Sequence, residues 1–488
     1  MPPLPNPSLL FRRTLLLVLL PALFFPISLA FSQQADITPT TSSAGALAAL
    51  VAGRDLAENQ HPEEARSYFA RAVAKDPQFA LAYLHLALVS PPPDPAFANN
   101  LQKAAALAGK ASEGEQLLIQ AAQAQARGQV RKELETLAKL TQKYPTDRRA
   151  RLALVSFHLR QADFPAAVAE AKKGLEASPD FPPFALLLGS ALAAAGQYEE
   201  AAQALAHYQE LLPEEPNAHG TTGRLRLKQG DFQQATAAFE RALHLDPQYY
   251  PAYLGLSTCL LLQNKPAKAR EQAQLLYETA PSDDIRRQAL FASGAAYVDE
   301  GKYDKAIEEA QKRLELAQKA RNLEGEAADH HLIGDLWLAA GNHAEGQASY
   351  RRAWELIEKS ALKPEVKSQA RREYLWREAI VSLEKKDLAT ARKKTEEYRQ
   401  QAEARKSPGE IQRAHLLQGQ LALQEKRLEA ALRELEQADP RDPRTHYAVG
   451  NAYLALGDKA RARLSWANAA QFNELQYDYL IFRRKVKI

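Results

Sequence analysis

"GRLRLKQGDFQQATAAFERALHLDP", residues Gly223 to Pro247, carries no obvious catalytic group, yet its small, large and helix-breaking residues fall at set intervals. Gly223, Ala235, Phe239, Ala242 and Pro247 reappear, in kind, throughout the chain. Prolines stand at Pro77, Pro145, Pro179, Pro213, Pro247 and Pro281, always one or two units of 34 residues apart. Counted in that unit from Ala46, the eighth position reads Gly53, Ala87, Ala121, Val155, Gly189, Gly223 and Ser257. The twentieth reads Ala65, Asn99, Glu133, Ala167, Ala201, Ala235 and Ala269. A period of this length marks a repeated supersecondary unit.

Each unit reads as two helices joined by a short polar turn such as "KQGD" or "AAGQ". Antiparallel helices approach closely only where both present small side chains, which demands small residues at the eighth and twentieth positions. Phe239 fills the layer between units, Ala242 leaves room for the next hairpin, and Pro247 ends the second helix. Beyond residue 281 the period loosens while the hairpin survives. Gly294 and Ala306, Gly334 and Gly346, Ala379 and Ala391, Gly419 and Ala431, and Gly450 and Ala462 are each 12 residues apart. Twelve units are predicted. One unit departs from the pattern: "LVSPPPDPAFANN" puts Pro91, Pro92, Pro93 and Pro95 at its turn and Asn99 at its twentieth position, so a distorted hairpin is expected there.

Small eighth, alanine twentieth, aromatic twenty-fourth, proline thirty-second: this pattern resembles the tetratricopeptide repeat, over about residues 46–475. The resemblance implies an all-α superhelical solenoid of about twelve antiparallel helix-turn-helix repeats. Composition agrees. The 488 residues exceed one ordinary core, and Ala and Leu outweigh the β-branched and aromatic residues. The net charge of +4 on 63 basic and 59 acidic residues gives no polyanion-binding face, so no nucleic acid is expected.

Residues 1–30 read differently. Arg12 and Arg13 precede an apolar run from Leu15 to Ala30 that Pro21 and Pro26 interrupt, and Ser28 and Ala30 are the small residues of a cleavage site. This is the pattern of a secretory signal peptide, with a retained membrane anchor as the alternative. The single cysteine, Cys259, permits no internal disulfide, and the rest of the chain lacks a glycosylation sequon. Export from a bacterial cell, to the periplasm or beyond it as a secreted protein, is the expectation. The expected domains are a signal peptide (1–30), a flexible linker (31–45), a regular array (46–283, with 80–113 degenerate), a variable array (284–475) and a basic, solvated helix end (476–488).

Catalytic signatures are absent: no phosphate-binding loop, nucleophile elbow or His-Glu-x-x-His helix occurs. The protein is therefore read as no enzyme, without cofactor or metal. His331 and Asp335 share a helical face and support a ligand- or metal-binding sensor as the alternative function. Cys259 is expected to be a buried thiol.

In proteins resembling this one, the concave groove is lined by the second, fifth, ninth and twelfth positions of the first helices. Those positions give Arg149, Asn217, Arg224, His331, Asp335, Trp376, Arg413, Arg444, Tyr447 and Asn451, with Lys228 adjacent. Such a mixture suits a peptide or a partner helix. Only Asn451 carries a ninth-position asparagine, so a carboxylate-clamp arrangement is not expected. The function implied is a protein-interaction scaffold of the cell envelope, touching membrane only if the signal segment stays attached.

Overall fold

The computed structural model describes residues 36–90, 95–470, 472–473 and 475–486. The expected signal peptide and Pro91, Pro92 and Pro93 fall outside these residues. Among the described residues the chain is helical with no strand, and it folds as twelve antiparallel hairpins followed by one more helix. The first four hairpins are α1 (Ala44–Glu58) with α2 (Pro62–Lys75), α3 (Ala80–Leu88) with α4 (Pro95–Leu107), α5 (Glu113–Ala126) with α6 (Val130–Lys143), and α7 (Arg148–Arg160) with α8 (Phe164–Ala177). Next come α9 (Pro182–Ala194) and α10 (Tyr198–Leu211), α11 (Pro216–Lys228) and α12 (Phe232–Leu245), and α13 (Tyr250–Leu262) and α14 (Pro266–Thr279). Longer hairpins follow: α15 (Asp283–Glu300) with α16 (Tyr303–Lys319), α17 (Leu323–Ala339) with α18 (His343–Glu358), and α19 (Pro364–Glu384) with α20 (Leu388–Arg405). Then α21 (Pro408–Gln424) pairs with α22 (Leu428–Leu435) and α23 (Pro443–Ala455) with α24 (Lys459–Ala469), before a final α25 (Tyr477–Val486).

The packing rule can be read atom by atom. A methyl group placed on Gly223 would lie 2.8 Å from the ring of Phe239, and one on Gly53 would lie 2.7 Å from Phe69. Gly255, on the next unit's first helix, also lies against the Phe239 ring, where an added methyl would be 2.3 Å from Cζ. The eighth-position residue is therefore small chiefly to admit the side chain sixteen positions later, and that ring is shared between two units. Where the eighth position is Ser257, its hydroxyl donates to the carbonyl of Ala269 at 2.9 Å, replacing close packing by a buried hydrogen bond. The hairpin turns need one left-handed residue each. Glycine supplies it at Gly196 (φ 77°) and Gly230 (φ 79°), while Gln60, Ala162 and Asn264 adopt it at the corresponding positions of their units.

In the degenerate unit the hairpin persists, but α3 has 9 residues where α7 has 13. First helices of neighbouring units meet one another, as α11 meets α13 and α13 meets α15, more than second helices do. The solenoid consequently curls with its first helices inside.

Residues 36–43 correct the expectation of a flexible linker. They run as an extended strap past the start of α5 and α7 before Ser43 caps α1. The Ile37 amide donates to Asp147 at 2.8 Å, the Thr40 amide to Glu115 at 2.9 Å, and the Ser112 hydroxyl to the Thr38 carbonyl at 3.0 Å. Ile37 itself is buried with Leu117, Leu137 and Leu154, over Gly114. Burial of this one aliphatic side chain, with paired backbone groups around it, holds the strap in place.

Candidate functional site

The inner surface is built from the first helices, and the candidate residues divide there into three groups. The largest surrounds Trp376 on α19. Its ring faces three guanidinium groups, Arg377, Arg413 and Arg444, at 5.6, 5.3 and 5.1 Å. Each arginine is also paired. Arg377 binds Asp335 of α17 and, at 3.3 Å, Glu373. Arg413 binds Glu373 at 2.9 Å, and Arg444 binds Asp442 at 2.7 Å and Asp478 of α25 at 3.3 Å. Burial pushes the Asp335 carboxyl up to about 6 against the pull of Arg377, whose own pKa rises because several carboxylates surround it.

His331, one turn before Asp335, lies edge-on to Tyr350 at 6.2 Å, and burial lowers its pKa to about 3. Tyr350 donates its hydroxyl to Asp335 at 2.6 Å. The Asp335 carboxylate is thus spent on a guanidinium and a phenol, so His331 and Asp335 do not converge on a common cation. Among the described residues no cluster of three metal-ligating side chains occurs.

The last helix returns to the middle of the chain. Tyr477, Tyr479, Leu480 and Ile481 are buried in one core with Leu262, Ala295 and Val298. The Tyr477 hydroxyl donates to the Phe291 carbonyl at 3.0 Å, and its oxygen sits directly over Gly294. Arg483 donates to the Leu262 carbonyl at 3.0 Å and Arg484 to that of Asp299. These carbonyls end α13 and α15, where helix groups lack internal partners and the dipole favours a cation. Tyr447 of α23 stacks obliquely on Phe482 at 5.0 Å. The expected solvated basic end is therefore corrected: two of its arginines cap other helices, and its apolar face is core. The run "YDYLIF" was the available signal, since five apolar residues in six exceed what a solvated helix end carries.

A second group lies on α11. Arg224 and Lys228 are exposed, one turn apart, and Arg224 donates to Thr221 at 2.7 Å. Asn217 joins two phenols, donating to Tyr208 at 3.1 Å and accepting from Tyr249 at 3.0 Å. Asn451 is half-buried on α23, the helix that also carries Arg444.

Arg149 belongs to a third region. It reaches across from α7 to Glu58 of α1 at 2.6 Å, and His61 reaches Glu215 before α11 at 3.2 Å. The curl is tight enough for the first unit to touch the fourth and the sixth. Beneath the Glu58–Arg149 bridge lies a cavity of ≈ 700 Å³ with walls from α1, α3, α5, α7 and α9. Nothing in the sequence pattern marked it, because it exists only where distant units face each other.

Family models of the tetratricopeptide repeat match residues 158–225 and 226–294, and a second model of the same repeat matches 50–90 and 429–474. The chain therefore carries tetratricopeptide repeats, which generally serve protein–protein interaction rather than catalysis. No curated protein matches it. Among solved structures it is similar to a tetratricopeptide repeat protein from Parabacteroides merdae ATCC 43184 (17% identity, 53% of this chain and 96% of that one, TM-score 0.39). It is also similar to an O-GlcNAc transferase mutant from Thermobaculum terrenum (26% identity, 26% of this chain and 25% of that one, TM-score 0.25). No helix among the described residues is long and apolar enough to cross a membrane.

Proposed function

We propose that the protein is a non-enzymatic interaction scaffold or assembly factor, exported to a bacterial cell envelope, that holds protein partners against its inner surface. The observation that carries this reading is the seating of α25. The first helices of the seventh and eighth units accept a short helix through aromatic and aliphatic anchors, with arginines on the carbonyls at their C-terminal ends. That is the chemistry by which a groove recognises a partner helix. Export rests on the signal-like residues 1–30, and the envelope as destination rests on the same segment.

Arg224 and Lys228 are exposed beside this seat and are the residues proposed to meet a partner first, with Asn217 and Asn451 as further contacts. Trp376, Arg413 and Arg444 serve the scaffold itself, since both arginines are committed to internal ion pairs and the Trp376 ring to the guanidinium groups that face it. Cross-linking in the native envelope with the natural chain and with Arg224→Glu tests this. The charge reversal should remove specific partners while leaving the circular dichroism unchanged. Identical partners in both would sink the assignment.

A further inference from the structure

The half-open cavity bordered by the first turn of the superhelix has the features of a ligand chamber. Its volume, ≈ 700 Å³, is in the range of pockets for small organic molecules, about 300–1,000 Å³. The walls are aliphatic, with Leu84, Leu118, Leu152, Leu186 and Leu187 from four successive first helices. The bridges Glu58–Arg149 and His61–Glu215 cross the curl nearby and restrict it to a compact occupant rather than a long peptide. Leu88 and Gln60, both exposed, form a rim through which the chamber meets solvent.

The polar groups in the wall differ sharply in how well they are satisfied. Glu58 is held by Arg149, Glu133 by Arg160, and Glu63 by Arg66. Asp147 accepts from the amides of Ile37, Arg149 and Ala150. Arg54 has no hydrogen bond and no carboxylate at ion-pair distance among the described residues, and its Nε is buried without a partner. Desolvation and the neighbouring Arg149 lower its pKa to about 10 against the pull of Glu58, Asp147 and Asp55, so the guanidinium remains charged at neutral pH with carboxylates near it but none bonded to it. His85 faces the same space, stacked on Phe69 at 5.1 Å, and burial keeps it neutral with a pKa near 3. A guanidinium with no carboxylate bonded to it, at the edge of a largely aliphatic cavity, defines the complement: one anionic head on an apolar body.

We infer that this chamber binds an aliphatic chain ending in a carboxylate, with the carboxylate paired to Arg54 and the chain lying against the leucines of α3, α5, α7 and α9. The inference is independent of the partner-scaffold reading, because the chamber lies away from α25 and from Arg224. No bond is made or broken. Arg54 gains a directly hydrogen-bonded carboxylate, and the chain replaces water on apolar walls.

Calorimetric titration of the full chain with octanoate, decanoate and dodecanoate, all below their micelle concentrations, tests it. One saturable site is expected, with affinity rising up to about fourfold per added methylene until the chamber is full. Arg54→Gln should weaken decanoate binding at least tenfold, whereas Arg54→Lys, which keeps the charge, should weaken it less. Ala153→Phe, filling the chamber from α7, should abolish binding. Thermal unfolding of each variant separates loss of the site from loss of the fold. The inference is overturned if no carboxylate saturates the protein, or if decanol binds as tightly as decanoate. Equal binding by Arg54→Gln also overturns it, as does a short acidic peptide that occupies the site while decanoate does not.

Discussion

Tyr477 and Gly294 form a contact whose removal can be worked out from both sides. Tyr477 is 4% exposed, donates to the Phe291 carbonyl at 3.0 Å, and sets its hydroxyl over the bare Cα of Gly294. Truncating a buried aromatic to alanine costs about 3–5 kcal/mol. The effect on the whole chain is capped, however, because a terminal helix can undock while the hairpins stay folded. The loss therefore appears locally, as hydrogen exchange of the α25 amides. Tyr477→Phe removes one hydrogen bond, about 1 kcal/mol, and should speed exchange about fivefold. Tyr477→Ala should speed it by two orders of magnitude or to the undocked limit. Gly294→Ala puts a methyl group on the phenol oxygen and should undock α25 in the natural background. Combined with Tyr477→Phe, the nearest remaining ring atom is Cζ at 3.2 Å, so the same methyl should cost distinctly less. Additive effects of the two substitutions, or unchanged exchange in Tyr477→Ala, would refute the seating of α25.

Three further outcomes follow from other parts of the molecule. Gly196 sits at φ 77° with no neighbour within 4 Å of where a Cβ would be, so Gly196→Ala should cost about 1–2 kcal/mol of purely backbone origin in chemical denaturation. The Asp335 carboxyl titrates near 6 in the folded chain against an ordinary 3.8, so the folded state takes up its proton first. The stability it contributes is complete below about pH 4 and is lost as pH rises through 6; relative to Asp335→Asn, the natural chain should lose up to about 3 kcal/mol between pH 4 and 7 in urea titrations. Cys259 is fully buried and its thiol is pushed up to about 11, so a thiol reagent at pH 8 should react with it only after unfolding.

What the sequence displayed was everything decided within one hairpin and its neighbour. Gly223, Ala235 and Phe239 meet within 16 residues, and the constraint recurs with each unit, so repetition makes it visible. By spacing alone the eighth position reads as a helix-crossing site, whereas its main duty is to receive the ring of Phe239 or Phe69. The features that shape the inner surface were not legible, for a geometric reason. Arg149 and Glu58 are 91 residues apart, and Asn473 donates to the Lys228 carbonyl 245 residues away. Such contacts depend on the accumulated curl of several units, which no local spacing encodes. Candidate residues chosen by repeat position do lie on first helices. Their pairing with Glu373, Asp442 and Asp478 could be read only once those helices faced each other.

On the proposed function, the inner surface accepts a partner helix and α25 occupies that seat in its own chain. The direct measurement is binding in trans: the chain ending at residue 471, checked for retained helicity, titrated with a labelled peptide of residues 472–486. Saturable binding that Tyr477→Ala in the peptide or Gly294→Ala in the chain abolishes is the predicted result. A folded truncated chain that ignores the peptide would contradict the claim.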